Sequence, residues 1–305
     1  MEFQFATVRR EFAKVIAVTG ATGLTGRFLI NSLRKHGFQG NIRCLTRVKS
    51  NIEHMPSDER IEYYTGDCNN VESLIEFIRG AQNLIHVAGI RYSDNIISAC
   101  QESGLSRVTF VSTTGLYSSY QKYASEYMQI EDKIRNSGLE YTLIRPTMIY
   151  GNHRDKNIHK LVKIVDRFPM VPIVGTGNSL MQPIYAEDLA DVIAAAALND
   201  VAIRKEYNVA GKEPIAYKSL MEEIAKALGK KRTFVTIPYS VCLVCGYLGE
   251  LIPNSLINLE RIQRLKEDKA FDYSLARDEL GFSPRSFQDG VVLEIQALRE
   301  AGVIS

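Results

Sequence analysis

The stretch from Lys14 to Gly26, KVIAVTGATGLTG, constrains this chain more than any other. Val15, Ile16, Ala17 and Val18 form a short apolar, partly β-branched run, the composition of a strand buried on both faces. Thr19-Gly20-Ala21-Thr22-Gly23-Leu24-Thr25-Gly26 follows at once. Arg27 to Lys35 then reads as a helix with Leu24, Phe28, Leu29 and Leu33 on its apolar side. Strand, glycine turn and helix in that order make an anion-binding unit. Gly20 permits the tight turn, Gly23 lets the backbone approach a pyrophosphate, and Gly26 lets the helix lie close to the strand. The helix N-terminus presents unpaired N–H groups and a partial positive charge to the phosphates. A glycine pattern alone is weak, but here it has its required context. The unit predicts a bound dinucleotide, with Gly20, Thr22, Gly23, Leu24, Thr25 and Gly26 around its phosphates.

Beyond the turn, short apolar runs alternate with helical patterns. Strands are predicted at Asn41 to Thr46, Ile61 to Thr65, Asn83 to Val87, Arg107 to Val111 and Tyr141 to Ile144, the last stopped by Pro146. Helices are predicted at Val71 to Ile78, Asp94 to Ser103 and about Tyr123 to Asn136, which Gly138 caps. This alternation implies a parallel sheet with right-handed crossovers and ligands at the carboxyl ends of its strands. The second half alternates less regularly. Helices are expected at Lys160 to Phe168, Asp188 to Leu198 and Ser219 to Leu228, strands at Glu206 to Val209 and Thr233 to Ile237, and mostly helix from there on.

The 305 residues, 45% hydrophobic and 24% charged, suffice for one large α/β unit with a smaller lobe. A formal net charge of +2 gives no reason to expect nucleic acid. The five cysteines (Cys44, Cys68, Cys100, Cys242 and Cys245) suggest no disulfide framework and agree with a reducing cytoplasm. Cys242 and Cys245 have redox-motif spacing but lie in an apolar run, which favours two small residues packed in a core. Met1 to Phe12 carries Arg9, Arg10 and Glu11 and reads as no secretory signal. Val241 to Ile252 is too short to span a bilayer and reads as core of the second lobe, with an interfacial or subunit-contact helix as the alternative. None of the five histidines has metal-motif spacing. His86 reads as a strand-end core residue, and His153 and His159 as members of a solvated loop.

Several segments, in order, carry a resemblance. Thr19 to Gly26 has T-G-x-x-G-x-x-G spacing. Ser137 to Pro146 (SGLEYTLIRP), Gln182 to Ala190 (QPIYAEDLA), Tyr207 to Gly211 (YNVAG) and Asp272-Tyr273 to Gly281-Phe282-Ser283-Pro284 follow. Together they resemble the extended and atypical branches of the short-chain dehydrogenase/reductase superfamily, including its epimerases and dehydratases. The resemblance implies an α/β fold: a Rossmann-type doubly wound parallel sheet with a smaller, mostly helical C-terminal lobe. Residues 13–150 would bind the dinucleotide and residues 151–305 would form the substrate-side lobe, with the strand near 206–209 returning to the main sheet. It implies a small-molecule substrate, such as a nucleotide sugar, and a homodimer paired through helices on the sheet's flank; the shortness of the apolar run at Val241 to Ile252 gives the expectation of no transmembrane segment.

The second strand ends Leu45-Thr46-Arg47 with no acid until Glu53, so the cofactor is expected to be NADP rather than NAD, since Arg47 can fork onto a 2′-phosphate. By resemblance Asp67 and Cys68 sit beside the adenine, and Val87, Ala88 and Gly89 let the backbone approach the riboses. Pro146 and Met148, with Thr147, lie against the nicotinamide. Arg91 and Tyr92 fall on the substrate side.

Hydride chemistry belongs to the nicotinamide, and the protein must supply a proton at the substrate oxygen. The family uses Tyr-x-x-x-Lys, with a Ser or Thr at the end of the fifth strand. Thr113 takes the hydroxyl place, with Thr114 as its neighbour. Counting back from Ser137 puts Tyr127 where lysine is expected and Tyr123 in the tyrosine place. None of the fifteen tyrosines has lysine four residues on. A phenol without such a cation, pKa ~10, is a poor base at neutral pH. Tyr127 can still bond a ribose hydroxyl. The reading is therefore an NADP-binding oxidoreductase or sugar-nucleotide epimerase/dehydratase-like protein, with Thr113 and Tyr123 catalytic if it is active. The alternatives are a non-catalytic NADP-binding sensor or scaffold, and a membrane-associated lipid or steroid enzyme using Val241 to Ile252.

Overall fold

The computed structural model describes residues 14–304 except 51, 54, 156 and 251–258. The segment read for a secretory signal, Met1 to Phe12, therefore lies outside the described residues, as does the end of the apolar run at Ile252. The first half runs β1 (Val15–Thr19), α1 (Leu24–Lys35), β2 (Asn41–Thr46), β3 (Ile61–Thr65), α2 (Val71–Ile78), β4 (Asn83–His86), α3 (Ser93–Ser103), β5 (Arg107–Val111), α4 (Ala124–Arg135) and β6 (Glu140–Pro146). The second adds β7 (Ile149–Tyr150), α5 (Ile158–Arg167), β8 (Met170–Val174), β9 (Leu180–Met181), β10 (Ile184–Tyr185) and α6 (Ala186–Leu198). It continues with β11 (Lys205–Val209), β12 (Ile215–Ala216), α7 (Tyr217–Ala227), β13 (Thr233–Ile237), α8 (Tyr239–Glu250), α9 (Leu259–Arg264), α10 (Ser274–Leu280) and α11 (Phe287–Glu300).

Seven parallel strands form the main sheet in the order β11-β6-β5-β4-β1-β2-β3. The chain moves one way from β1 to β3 and the other way from β4 onward. The crevice between β1 and β4 is thus the switch point, where ligands bind in such sheets. β5, all of whose residues are buried, and β4, likewise buried throughout, explain why these runs lack polar alternation. One face is covered by α1 and α6, around Val18, Leu29, Leu33, Leu189 and Ile193. The other is covered by α2, α3 and α4, around Leu74, Phe77, Ile96, Phe110 and Ile134. A third core, in the smaller lobe, joins α5, α7 and α11 through Val162, Leu220, Ile224, Val291 and Ile295.

Two expectations change. β6 does not stop before Pro146 but runs through it, paired with Val209 of β11. Proline lacks an N–H, and the neighbouring bond is instead made by Thr147 N–H to the Val209 carbonyl. The apolar run at α8 is not core. Cys242 is buried, but Val241, Val244, Tyr247 and Leu248 are 50–59% exposed. The inward face rests on α9, where Gly246 lies against Leu259 and Ile262. The side chain of Cys245 lies outside the described residues. Cys44, Cys68 and Cys100 are buried thiols that burial pushes up to about 12, 11 and 12, so they are protonated and inert at neutral pH.

A buried ionic cluster seats α4 on the sheet. Arg145 of β6 binds Glu131 of α4 at 2.6 Å and also pairs with Glu206 of β11. The Ser112 hydroxyl donates to Glu131 at 2.6 Å, and Arg135 binds Glu206 at 2.6 Å. Glu131 is 1% exposed, so this pairing offsets a large desolvation cost.

Candidate active site

One cavity of about 1060 Å³ opens along the carboxyl ends of the sheet strands and under the second lobe. Its floor is the glycine turn. Gly20 has φ of +75°, and a Cβ there would come within 2.7 Å of Ala88 N. A Cβ on Gly26 would lie 2.2 Å from the Gly20 carbonyl. The close approach at Gly26 is therefore to the turn itself, which folds the helix start back under the loop. Gly23 N–H donates to the Gly20 carbonyl at 3.0 Å, and α1 has no acidic residue in its first turn. This cradle fits a diphosphate: backbone N–H groups at a helix start, with no carboxylate to repel it.

His86, at the end of β4, holds the next wall. Its ring accepts from the Thr19 hydroxyl at 2.7 Å, and its other nitrogen donates to the Gly89 carbonyl at 2.9 Å. Burial lowers its pKa to about 4, so the ring is neutral and this arrangement of donor and acceptor is stable. It fixes Val87, Ala88 and Gly89 on the cavity wall. At the outer end, Arg47, Asp67 and Cys68 line the cavity. Arg47 is exposed, and its guanidinium makes no hydrogen bond or ion pair among the described residues. Asp67 accepts the Asn69 N–H at 2.9 Å, a turn contact that leaves its other oxygen open.

At the other end, the residues after β5 and β6 close the cavity. Thr113 accepts the Gly115 N–H at 3.0 Å, which leaves its O–H proton available to a ligand. Thr114 spends its proton on the Pro146 carbonyl at 3.1 Å. Pro146, Thr147 and Met148 line the same end, together with Tyr127, Tyr117 and Phe271. Tyr117 and Phe271 stack at 5.7 Å. Arg264 and Lys269 add positive charge, and burial lowers Lys269 to about 8. Glu267 accepts from the Ser118 hydroxyl at 2.6 Å and the Ser119 N–H at 2.8 Å, tying the segment after α9 to the loop after β5.

The cavity thus gathers every residue singled out for the cofactor, from Gly20 to Met148, together with Thr113. It does not gather Tyr123. That residue caps the start of α4, is 45% exposed and does not line the cavity. Its ring lies under the Arg91 guanidinium, 4.5 Å from centroid to Cζ, and the same guanidinium is 5.3 Å from the Tyr127 ring. Arg91 is itself held by Glu126 at 2.6 Å. A cation therefore stands beside both tyrosines although no lysine follows either at helical spacing. Sequence spacing misses it because Arg91 arrives from the loop after β4, 32 or more positions upstream of either tyrosine. Arg154 is missed likewise: it reaches the glycine turn from beyond β7 and hydrogen-bonds the Thr22 carbonyl at 3.1 Å.

Residues 20–200 match the family described as NAD(P)H-binding. The chain belongs to that family. It is 26% identical over 248 residues to the ceramide reductase of Caulobacter vibrioides, covering 77% of each chain. It is 25% identical over 333 residues to isoform 1 of the 3beta-hydroxysteroid-dehydrogenase/decarboxylase of Arabidopsis thaliana, covering 88% of this chain and 75% of the relative. Its fold is that of PA4631, a nucleoside-diphosphate-sugar epimerase of Pseudomonas aeruginosa, with a TM-score of 0.78 and 18% identity over 96% of this chain and 99% of the other. The parallel sheet flanked by helices and the helical second lobe match the overall fold of the epimerase/dehydratase neighbours. No helix among the described residues is long and apolar enough to cross a membrane.

Proposed function

We propose that the chain is an NADP(H)-dependent oxidoreductase that interconverts a secondary hydroxyl and a ketone. The observation that carries this reading is the continuity of one cavity from Arg47, past the glycine turn, to Thr113 and Tyr127. The glycine turn and helix start would hold a diphosphate, Arg47 and Asp67 would flank the adenine, and the Thr113 and Tyr127 hydroxyl groups would stand at the other end. Arg47 has no competing carboxylate at the end of β2, which favours a 2′-phosphate over a bare ribose. Bound there, the nicotinamide supplies or accepts the hydride.

The chain's own residues handle the oxygen. The Thr113 hydroxyl donates a hydrogen bond to it. The phenol of Tyr127, on the cavity wall, passes it a proton on reduction and recovers that proton on oxidation. The cavity favours Tyr127 over Tyr123 for this step because Tyr123 does not line it. The Arg91 guanidinium, held by Glu126, packs 5.3 Å from the Tyr127 ring and orients it. The substrate body rests on Tyr117, Phe271, Met148 and Met181, and this apolar wall suits the lipid-like substrates that the names of both sequence relatives imply. The exposed apolar residues of α8 are consistent with a substrate that arrives from a lipid surface.

A second reading, epimerisation of a nucleotide sugar, draws on Arg264 and Lys269, which can receive a substrate diphosphate, and on the fold shared with the epimerase. Cofactor stoichiometry separates the two. An oxidoreductase changes NADPH absorbance mole for mole with ketone consumed. An epimerase regenerates its cofactor and leaves absorbance unchanged while the sugar inverts. A panel of keto-lipids, ketosteroids and nucleotide sugars tests both. The proposal is overturned if NADPH binds and no ketone is reduced. Within the active protein, Tyr127→Phe is expected to lower kcat ~100-fold or more, and Tyr123→Phe about twofold.

A further inference from the structure

Two arginines meet at one carbonyl beside the glycine turn. Arg27, one residue past Gly26, donates from Nε to the Thr22 carbonyl at 3.2 Å. Arg154, from the loop between β7 and α5, donates from Nη1 to the same oxygen at 3.1 Å. Neither guanidinium has a carboxylate partner among the described residues. The Nη2 of Arg27 is buried without a hydrogen-bond partner. Burial, and then the nearby charge of Arg154, pull the Arg27 guanidinium below its ordinary value. Two like charges converge on one neutral acceptor, and the Arg154 guanidinium also lines the cavity, where an anion would relieve the repulsion.

The loop that carries Arg154 is held from the second lobe. The Gly151 N–H donates to the buried Glu294 of α11 at 2.9 Å. Asp155, next to Arg154 and itself buried, accepts the Asn157 N–H at 2.6 Å and the His159 N–H at 3.0 Å at the start of α5. Arg154 is thus presented by the smaller lobe, but its guanidinium hydrogen-bonds the larger one.

We propose that Arg154 is a diphosphate clamp: a guanidinium delivered by the second lobe that closes over an anion seated on the glycine turn. The inference rests on the dinucleotide reading above and deepens it. The glycine turn alone offers N–H dipoles; Arg154 adds a full charge and a planar fork that matches paired phosphate oxygens. Because the loop is anchored on α5 and α11, cofactor binding then draws the two lobes together.

The test is nucleotide titration of the full chain, wild type against Arg154→Gln and Arg154→Lys. Arg154→Gln is expected to weaken NADPH at least tenfold, ~1.4 kcal/mol, and ADP by a similar factor. Adenosine, which has no phosphate, is expected to bind both proteins alike. Arg154→Lys retains the charge without the fork and should fall between. Melting of the ligand-free variants provides the structural control. If Arg154→Gln binds NADPH within about twofold of the wild type, whether or not it melts earlier, the contact with Thr22 is a tether only and the proposal is overturned. Equal weakening of ADP and adenosine overturns it as well, since the loss then has no phosphate dependence. Wild-type protein that binds neither NADPH nor NADH overturns the dinucleotide reading itself, a result distinct from either of these.

Discussion

The two ends of the cavity are built in opposite ways. The cofactor end is made of backbone: the Gly20 to Gly26 turn, the start of α1, and the Val87-Ala88-Gly89 wall that His86 pins. Its geometry is set by residues adjacent in sequence. The proposed substrate end is made of side chains from distant segments: Thr113 after β5, Tyr127 on α4, backed by Arg91 after β4, and Phe271 and Lys269 from beyond α9. Backbone cradles tolerate little change, because a single Cβ fills them. Side-chain assemblies drift more easily, and here the cation next to the tyrosine arrives from another loop.

The largest effect should come from the support of the substrate end. Glu131→Ala leaves Arg145 buried without its main partner and frees the Ser112 hydroxyl. Breaking such a pair costs ~3–5 kcal/mol, so chemical denaturation should show a loss of that size, with α4 the first element to lose amide protection. A loss under about 1 kcal/mol would mean that α4 is seated by its apolar face instead.

The cofactor end breaks through its glycines. Gly26→Val puts carbon within 2.2 Å of the Gly20 carbonyl. NADPH affinity should fall ~100-fold, ~2.7 kcal/mol, by fluorescence titration. Gly104→Ala, at a helix end where a Cβ meets nothing, should leave NADPH affinity unaltered despite its left-handed backbone. Equal effects from the two would remove the distinction between a cradle and an ordinary cap. At the adenine rim, Arg47→Glu should weaken NADPH about tenfold and leave NADH within about twofold. Equal weakening of both would assign Arg47 to the adenine ring rather than to a 2′-phosphate.

The smallest effect concerns the loop joining the two ends. Burial, with the facing Asp155, pushes Glu294 up from 4.5 to about 10. Its protonated form is the one the fold accommodates. The stability it contributes is therefore complete below the unfolded value of 4.5 and is lost as pH rises towards about 10. Glu294→Gln, neutral at every pH, should flatten this decline and raise the melting temperature at pH 9 by about 2 °C or more. An unchanged slope between pH 5 and 9 would mean that the carboxyl is already ionised in the fold.

Much of the fold was legible because its signals are local. β2, β3, α2 and β5 fall where composition and periodicity put them. The short strands β7, β9 and β12 were not legible, since two-residue pairings leave no period, whereas β10 falls within Gln182 to Tyr185, which reads as extended. α8 was misread as core because hydropathy reports how apolar a segment is and not what covers it. Its apolar Val244 and Tyr247 remain more than half exposed. Within the site, the cofactor-lining residues could be named from the glycine spacing and the strand ends. Arg91 was named for the substrate side, but its place beside the two tyrosines was not legible, and Arg154 was not named at all, because each acts on an element remote in sequence.

The sequence by itself determined a dinucleotide turn between β1 and α1, since a strand, three spaced glycines and a helix admit few other backbones. It also determined that no lysine follows Tyr123 or Tyr127 by one helical turn. Only the tertiary structure decided which tyrosine lines the cavity and which cation stands beside it. Those are contacts between elements, fixed by how α4 seats on the sheet through Glu131 and Arg145, and no local pattern encodes them.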